Sequence, residues 1–386
     1  MTTQQLLNEV AYPNAGTNVR RKYMQYYDTF AVATGTTTYN LFSTTLGNNF
    51  QRNKKFPLSG SEAFALMNVE LFLQSGVNTT AEYDALLDLL QKSYLEIVVN
   101  SKQAIKIPGI EIFSFDYSDI VIGTTTAINY NTKSVKRKKN LIIPIFFNSN
   151  SAIDVNFVTT TSAATAYNGK NVLCTFSGIQ SDKLDNIFFN PVQGNFQDLA
   201  YTMYDTVAVS GAGQNTYELF KDSSKSKTLY SKTLNLSSVE RFEVQNMEIF
   251  FSMLSGGSNL FNAIKNNRMV NQLQIKIEDV LLYESTIADF LSLSNSEASS
   301  IISFAGIAIN AYASSDAATL PTVAVPSNTA TFTRTIFQYK SKSLEIPIIF
   351  PANGKVSVEL TQPGSSLNVD QYFTVLLKGK LTRQVG

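Results

Sequence analysis

The chain has 386 residues, with 31 Lys and Arg against 30 Asp and Glu. A net charge of +1 gives no whole-chain argument for wrapping nucleic acid. There is no histidine and one cysteine, which removes His-based triads, nearly all zinc sites and any intrachain disulfide. No segment approaches the ~20 apolar residues of a membrane-spanning helix, and the apolar stretch Ile301 to Ala313 contains Asn310. The start, MTTQQLLNEVAYPNAG, lacks a charged lead and apolar core, so no signal peptide is expected and synthesis is expected to be cytoplasmic.

Residues 1–26 read as an arm: a short helix over Gln4 to Val10, then Pro13, Gly16 and the basic run Arg20, Arg21, Lys22. From Tyr27 the chain begins a pattern that it later repeats. YDTFAV at Tyr27 returns as YDTVAV at Tyr204, and TYNLF at Thr38 as TYELF at Thr216. EAFALMNVELFL at Glu62 returns as ERFEVQNMEIFF at Glu240, and LIIPIFF at Leu141 as LEIPIIF at Leu344. The offset is 177 at Tyr27, 178 from Thr38 through Leu95, and 203 at Leu141. The second copy therefore carries a net insertion of 203 − 178 = 25 residues, between about Tyr283 and Leu344. A period this long is that of a whole domain, not of a solenoid.

Within the copies, Glu62 to Leu73 reads as a regular strand. Phe64, Leu66, Asn68, Glu70 and Phe72 form one face, and Ala65, Met67, Val69, Leu71 and Leu73 an apolar other. One helix follows, with Thr79 and Glu82 at capping-box spacing and Tyr83, Leu86, Leu87, Leu90 and Tyr94 at helical intervals. Its weaker counterpart runs from Ser258 through Phe261 and Ile264. Leu141 to Phe147, NSNS and Ala152 to Thr159 read as a hairpin, as do Leu344 to Phe350, PANG and Lys355 to Leu360. Pro144 and Pro347 match, which predicts an edge position or a bulge. Cys174, in VLCTF, reads as a buried inert thiol. The expected fold is all-β: two tandem antiparallel eight-stranded jelly rolls, each with one short helix. The expected division is an arm at 1–26, a first barrel at 27–185, a connection at 186–203 and a second barrel at 204–386 with its insertion at about 284–332.

No catalytic, metal or cofactor residue is expected. No GxxxxGK loop is present, and Gly211, Gly213, Gly256 and Gly257 read as turns. Paired acids could hydrolyse glycosides, but Asp84 and Asp88 read as a solvated helix face and Asp116 and Asp119 as turn residues. The 26 Phe and 18 Tyr read as core more than as a sugar-stacking surface. Three basic clusters remain: Arg20, Arg21 and Lys22; Arg52, Lys54 and Lys55; Lys136, Arg137, Lys138 and Lys139. They read either as solvated loop charge or as contacts to anionic lipid, packaged nucleic acid or neighbouring subunits.

The tandem barrels, the arm and the segment IPIIFPANGKVSVEL at Ile346 resemble the double jelly-roll major capsid proteins of tailless icosahedral viruses, most closely those of membrane-containing bacteriophages. The resemblance spans about residues 27–386 and rests on architecture. It implies a homotrimer, pseudo-hexameric because each copy brings two barrels, that tiles a virion shell around the genome and over an internal lipid membrane. It implies contacts with neighbouring trimers, penton and minor capsid proteins and membrane lipids, without cofactors or sequence-specific nucleic-acid binding. Met1 to Tyr26 would be a basal arm and 284–332 a modest tower or an inter-subunit element. The alternatives are a two-domain receptor- or glycan-binding spike and, third, a hydrolase using paired acids.

Overall fold

A computed structural model describes residues 21–43, 51–73, 80–122, 128–181, 196–209, 216–253, 272–286, 290–292, 303–304, 307–309, 322–324, 338–339, 342–361 and 371–384. The first half contains β1 (Arg21–Ala31), β2 (Thr38–Leu41), β3 (Ala63–Leu73), α1 (Thr80–Gln91), β4 (Ser93–Val99), β5 (Lys102–Pro108), α2 (Gly109–Ile112), β6 (Phe113–Ile122), β7 (Ile128–Val135), β8 (Lys139–Asn148), β9 (Ile153–Thr159), α3 (Thr161–Ala166) and β10 (Asn171–Ser181). The second contains β11 (Phe196–Val209), β12 (Thr216–Leu219), β13 (Glu240–Met253), β14 (Gln272–Ile277) and β15 (Val280–Thr286). Five short strands follow: β16 (Leu291–Ser292), β17 (Ser303–Phe304), β18 (Ile307–Ile309), β19 (Thr322–Ala324) and β20 (Gln338–Tyr339). β21 (Lys342–Phe350), β22 (Val356–Thr361) and β23 (Gln371–Gln384) complete it.

Four main sheets result. β1-β10-β3-β8 faces β2-β9-β4-β5, and β11-β23-β13-β21 faces β12-β22-β14-β15. In each half, the first, eighth, third and sixth barrel strands form one sheet and the second, seventh, fourth and fifth the other. That strand order, made twice, is a double jelly roll. Each barrel closes on its own apolar core, one including Phe42, Phe64, Phe113, Phe147, Phe157 and Phe176, the other Phe242, Phe350, Phe373 and Leu377. Fully burying one such side chain is worth about 1.5–3 kcal/mol. Thirty residues separate β5 from β8 and 55 separate β15 from β21, a difference of 25.

The copies share polar detail as well. The Phe42 amide donates to Asp28 Oδ2 at 2.6 Å, and the Phe220 amide to Asp205 Oδ2 at 2.5 Å. Both phenylalanines sit at positive φ, 56° and 60°, so each buried carboxylate anchors a strained bend. Lys54 pairs with Glu62 as Lys232 pairs with Glu240.

Several expectations change. β3 does not alternate throughout, because Met67 is an extra bulge residue between Leu66, paired with Gly178, and Asn68, paired with Ser177. Phe64 and Leu66 therefore share the core with Val69, Leu71 and Leu73, while Ala63, Ala65 and Met67 pack separately with Phe146 and Ile179. Gln245 is the equivalent bulge residue on β13.

The expected hairpins are corners. β8 pairs with β3 while β9 pairs with β2 and β4, so the turn carries the chain from one sheet to the other. Asn353 does take φ 54° in the second corner. Pro144 and Pro347 lie in edge-strand bulges: residues 141–144 oppose Met67 alone, and 344–347 oppose Gln245 alone.

β1 already pairs with β10 at Arg21, so Arg21 to Tyr26 belongs to the barrel and not to an arm. Likewise β11 takes in Phe196 to Met203, which the sequence reading placed in the connection. Among the described residues the first half holds three helical segments, and Tyr94 belongs to β4, not to the helix. The second-copy helix at 258–264 lies outside the described residues. Asp116 and Asp119 lie in β6, not in a turn, paired with Ser134 and Asn131 of β7.

The bulges bring backbones into close approach. A Cβ on Gly178 would lie 1.9 Å from the Ala65 carbonyl oxygen, and one on Gly379 1.8 Å from that of Glu243. Gly178→Ala should therefore destabilise the first barrel by about 2 kcal/mol or more. A thermal melt checks this: an unchanged midpoint would show that the bulge can relax.

Candidate functional site

Among the described residues, no cluster of three or more Asp, Glu, Cys or His side chains is placed to hold a metal. Cys174 is buried in the first core, and burial pushes its thiol well above the ordinary range. Asp88 pairs with Lys92 one helical turn on. The side chains of Asp84, Asp116 and Asp119 lie outside the described residues.

The basic clusters divide. Arg20 lies outside the described residues, while Arg21 and Lys22 begin edge strand β1. Arg52 pairs with buried Asp28 at 3.2 Å, and Lys54 pairs with Glu62. Lys55, Lys136 and Lys138 are exposed. Arg137 and Lys139 are not outward contacts at all, because both are built into the seam between the barrels.

The seam sets β5, α2 and β8 of the first barrel against the β11-β23-β13 sheet of the second. β5 ends at Pro108, and the chain turns through α2 with Gly109 against Leu90 and Ser93, where a Cβ would meet Ser93 Oγ at 2.2 Å. That tight turn delivers the buried side chain of Glu111. Its Oε1 accepts Lys139 Nζ at 2.6 Å and Lys378 Nζ at 2.9 Å, one lysine from each barrel. Lys139 also donates to Thr202 Oγ1 at 2.7 Å, and Lys378 pairs with Glu248 at 2.7 Å. The four charges sum to zero. Burial pushes the Glu111 carboxyl up, but the two lysines outweigh it and hold its pKa at about 2. Burial likewise opposes the charge on Lys378, yet Glu111 and Glu248 raise its pKa.

Around this centre the seam is a mixture of cations and aromatic faces. The Arg137 guanidinium lies 4.8 Å from the Phe250 ring centroid. Lys106, buried on β5, lies 4.0 Å from the Tyr94 ring and 5.7 Å from that of Tyr204, and donates to the Lys227 carbonyl at 2.9 Å. Burial lowers its pKa to about 8. Arg383 reaches back to the Gln103 carbonyl at 2.9 Å. Tyr204, Phe250 and Leu376 of the second barrel are packed into the first barrel's core. The sequence reading missed Lys106, Glu111, Thr202, Tyr204 and Lys378. The one available signal was Thr202 in β11 where β1 has Gln25, a small side chain on a face that would otherwise meet water.

No protein-family model matches the chain, and no curated protein matches it. Among solved structures it is similar to the VP54 protein of PBCV-1, fitted into a reconstruction of the virophage Sputnik, at 9% identity over 96% of each chain and a TM-score of 0.40. It is also similar to the Faustovirus major capsid protein, at 8% identity over 97% of this chain and 92% of that one, with a TM-score of 0.34. A chain of Sulfolobus Turreted Icosahedral Virus matches at 7% identity over 94% and 90%, with a TM-score of 0.37. With TM-scores below 0.5, the fold assignment rests on the strand order of the four sheets.

Glu111→Gln should leave two buried lysines short of their shared anion and cost about 3–5 kcal/mol. The wild-type contribution also depends on pH. The folded pKa lies below the ordinary 4.5, so the stabilisation is complete above about 4.5 and is lost as pH falls towards about 2. Melting midpoints from pH 6 to pH 2 should converge for the two proteins at the acid end; a constant difference would show that the carboxylate charge is not what the seam uses.

Proposed function

We propose that the chain is a structural subunit of an icosahedral virus shell, a major capsid protein that encloses the genome. The observation that carries this is the jelly roll made twice in one chain and locked across a buried, charge-neutral seam. Such a unit is stiff and offers two similar but non-identical barrels to its neighbours. Three copies bring six barrels, which is how a homotrimer occupies a six-fold position in a lattice. Partners in this reading are other copies of the chain, neighbouring trimers, penton and minor capsid proteins, and the lipid of an internal membrane. Lys55, Lys136 and Lys138, exposed beyond the seam, together with Lys22 on β1, are the basic side chains offered to the inner face or to neighbours. Residues 1–20 serve as the basal arm and the longer β15–β21 connection as the outer or inter-subunit element.

Sedimentation and negative-stain electron microscopy test the reading. The protein should run at the mass of a trimer and form hexagonally packed sheets or closed shells; a stable monomer at about 100 µM would overturn it. Removing residues 1–20, a cut placed before β1 begins to pair, should leave the melting midpoint unchanged and abolish closed shells. Unfolding on that cut would place the segment in a core.

A further inference from the structure

Lys139 and Lys378 carry their charges into the seam against carboxylates, but Lys106 does not. It is 3% exposed, and among the described residues its ammonium meets the faces of Tyr94 and Tyr204 and the Lys227 carbonyl, with no ion pair. Glu96, its cross-strand neighbour on β4, acts on it through its field alone. Ring faces and one carbonyl replace only part of the hydration that a buried ammonium has lost. The counterpart of Lys106 in the repeat is Glu284, exposed on β15. The buried cation therefore belongs to the seam and not to the barrel design that the two copies share.

The Lys227 carbonyl lies in a strap that runs beside β11 and is anchored to it at both ends. Lys225 Nζ reaches Asp205 Oδ1 at 2.8 Å and the Thr206 carbonyl at 3.3 Å. Beyond it, the Thr206 amide donates to the Leu229 carbonyl and the Ser231 amide to the Tyr204 carbonyl, both at 2.9 Å. Between these anchors one carbonyl, that of Lys227, accepts the Tyr204 hydroxyl of its own barrel and Lys106 Nζ of the other, each at 2.9 Å. The strap side chains from Asp222 to Lys227 are exposed or half-buried, so little apolar contact holds them down. Lys106 stands on β5, which is paired along its length with β4. For the ammonium to regain water, the strap yields before the strand does.

We infer that residues 222–228 form a latch across the seam whose closure depends on the charge of Lys106: the ammonium favours the open latch, the neutral amine the closed one. The neutral amine still donates to the Lys227 carbonyl, without the loss of hydration that a full charge suffers. Burial is the main cause that brings the pKa of Lys106 down to about 8; the field of Glu96 opposes it and that of Lys227 adds to it. In the open latch the lysine returns towards its ordinary 10.5. The closed form therefore sheds a proton that the open form keeps, so closure strengthens as pH rises from about 8 towards about 10.5. The phenols of Tyr94, Tyr201 and Tyr204 face the same space, and burial raises the pKa of all three, which keeps them neutral between pH 7 and pH 9.

Hydrogen exchange measures the latch at the amides of Thr228, Leu229 and Tyr230, whose bonds to Ser226 close the turn of the strap. Corrected for the intrinsic rate at each pH, their protection should rise about tenfold from pH 7 to pH 9. Glu96→Gln removes the field that favours the ammonium and should move this rise to lower pH. Lys227→Gln removes the opposing field, keeps the backbone carbonyl, and should move it to higher pH. Lys106→Met should give protection that does not change with pH; if that variant does not fold, the other two decide. Flat protection in the wild type, a rise that survives in Lys106→Met, or Glu96 and Lys227 variants that fail to shift in opposite directions would overturn the latch while leaving the shell reading intact.

Discussion

A carboxylate taken out of water must be matched by cations at contact distance, and Glu111 fixes the molecule through that requirement. Both lysines that satisfy it converge on one oxygen, and they come from different barrels. A rotation of either barrel would strand a buried charge. The seam is therefore specified more sharply than an apolar contact of the same size, which tolerates small sliding. Such pairing adds little net stability, since desolvation offsets much of the attraction. Its effect is orientation, and Arg137 over Phe250 and Lys106 between two tyrosines extend the same rule.

The duplicated chain has kept its internal joinery and changed its surfaces. Asp28 and Asp205 hold the same strained bend, yet Asp28 is neutralised by Arg52 and Asp205 by Lys225, which come from different points of the connecting segment. The acceptor's role is fixed by the backbone, whereas the cation need only arrive. Along the sixth strand the core side is kept by Phe147 and Phe350, whereas on the fifth strand Ala104 and Lys106 are buried and their counterparts Leu282 and Glu284 are exposed, because only the first has a barrel beside it. Divergence is concentrated where the two barrels have different neighbours.

The repeat, the strand content and the jelly-roll expectation were legible because apolar side chains recur at the same spacing in both copies. The bulge at Met67 was not. Methionine suits either face, and nothing in the letters marks the residue at which alternation slips; Gly178 was the faint clue, since it matters only once its neighbour's carbonyl is known to crowd it. Turn chemistry at Asn353 told that the chain reverses, but not that it changes sheets. The seam was least legible. Glu111 and Lys378 each look like a solvent-facing charge in a strand, and only the fold brings them within 2.9 Å. The run from Lys136 to Lys139 looked uniform, yet Lys136 and Lys138 are exposed while Arg137 and Lys139 are built into the seam.

Pro144 and Pro347 have a consequence beyond the bulges they occupy. The sixth strand is the outer strand of its sheet in both barrels, and such a strand ordinarily offers unpaired amides to any passing chain. Here each outer strand lacks one amide and is bent by four residues set against one. A neighbour cannot zip on as another strand. In the shell subunit proposed above, copies that met along this strand would do so through side chains, so such contacts could be released and re-formed while a lattice corrects its errors, instead of freezing into a continuous backbone ladder.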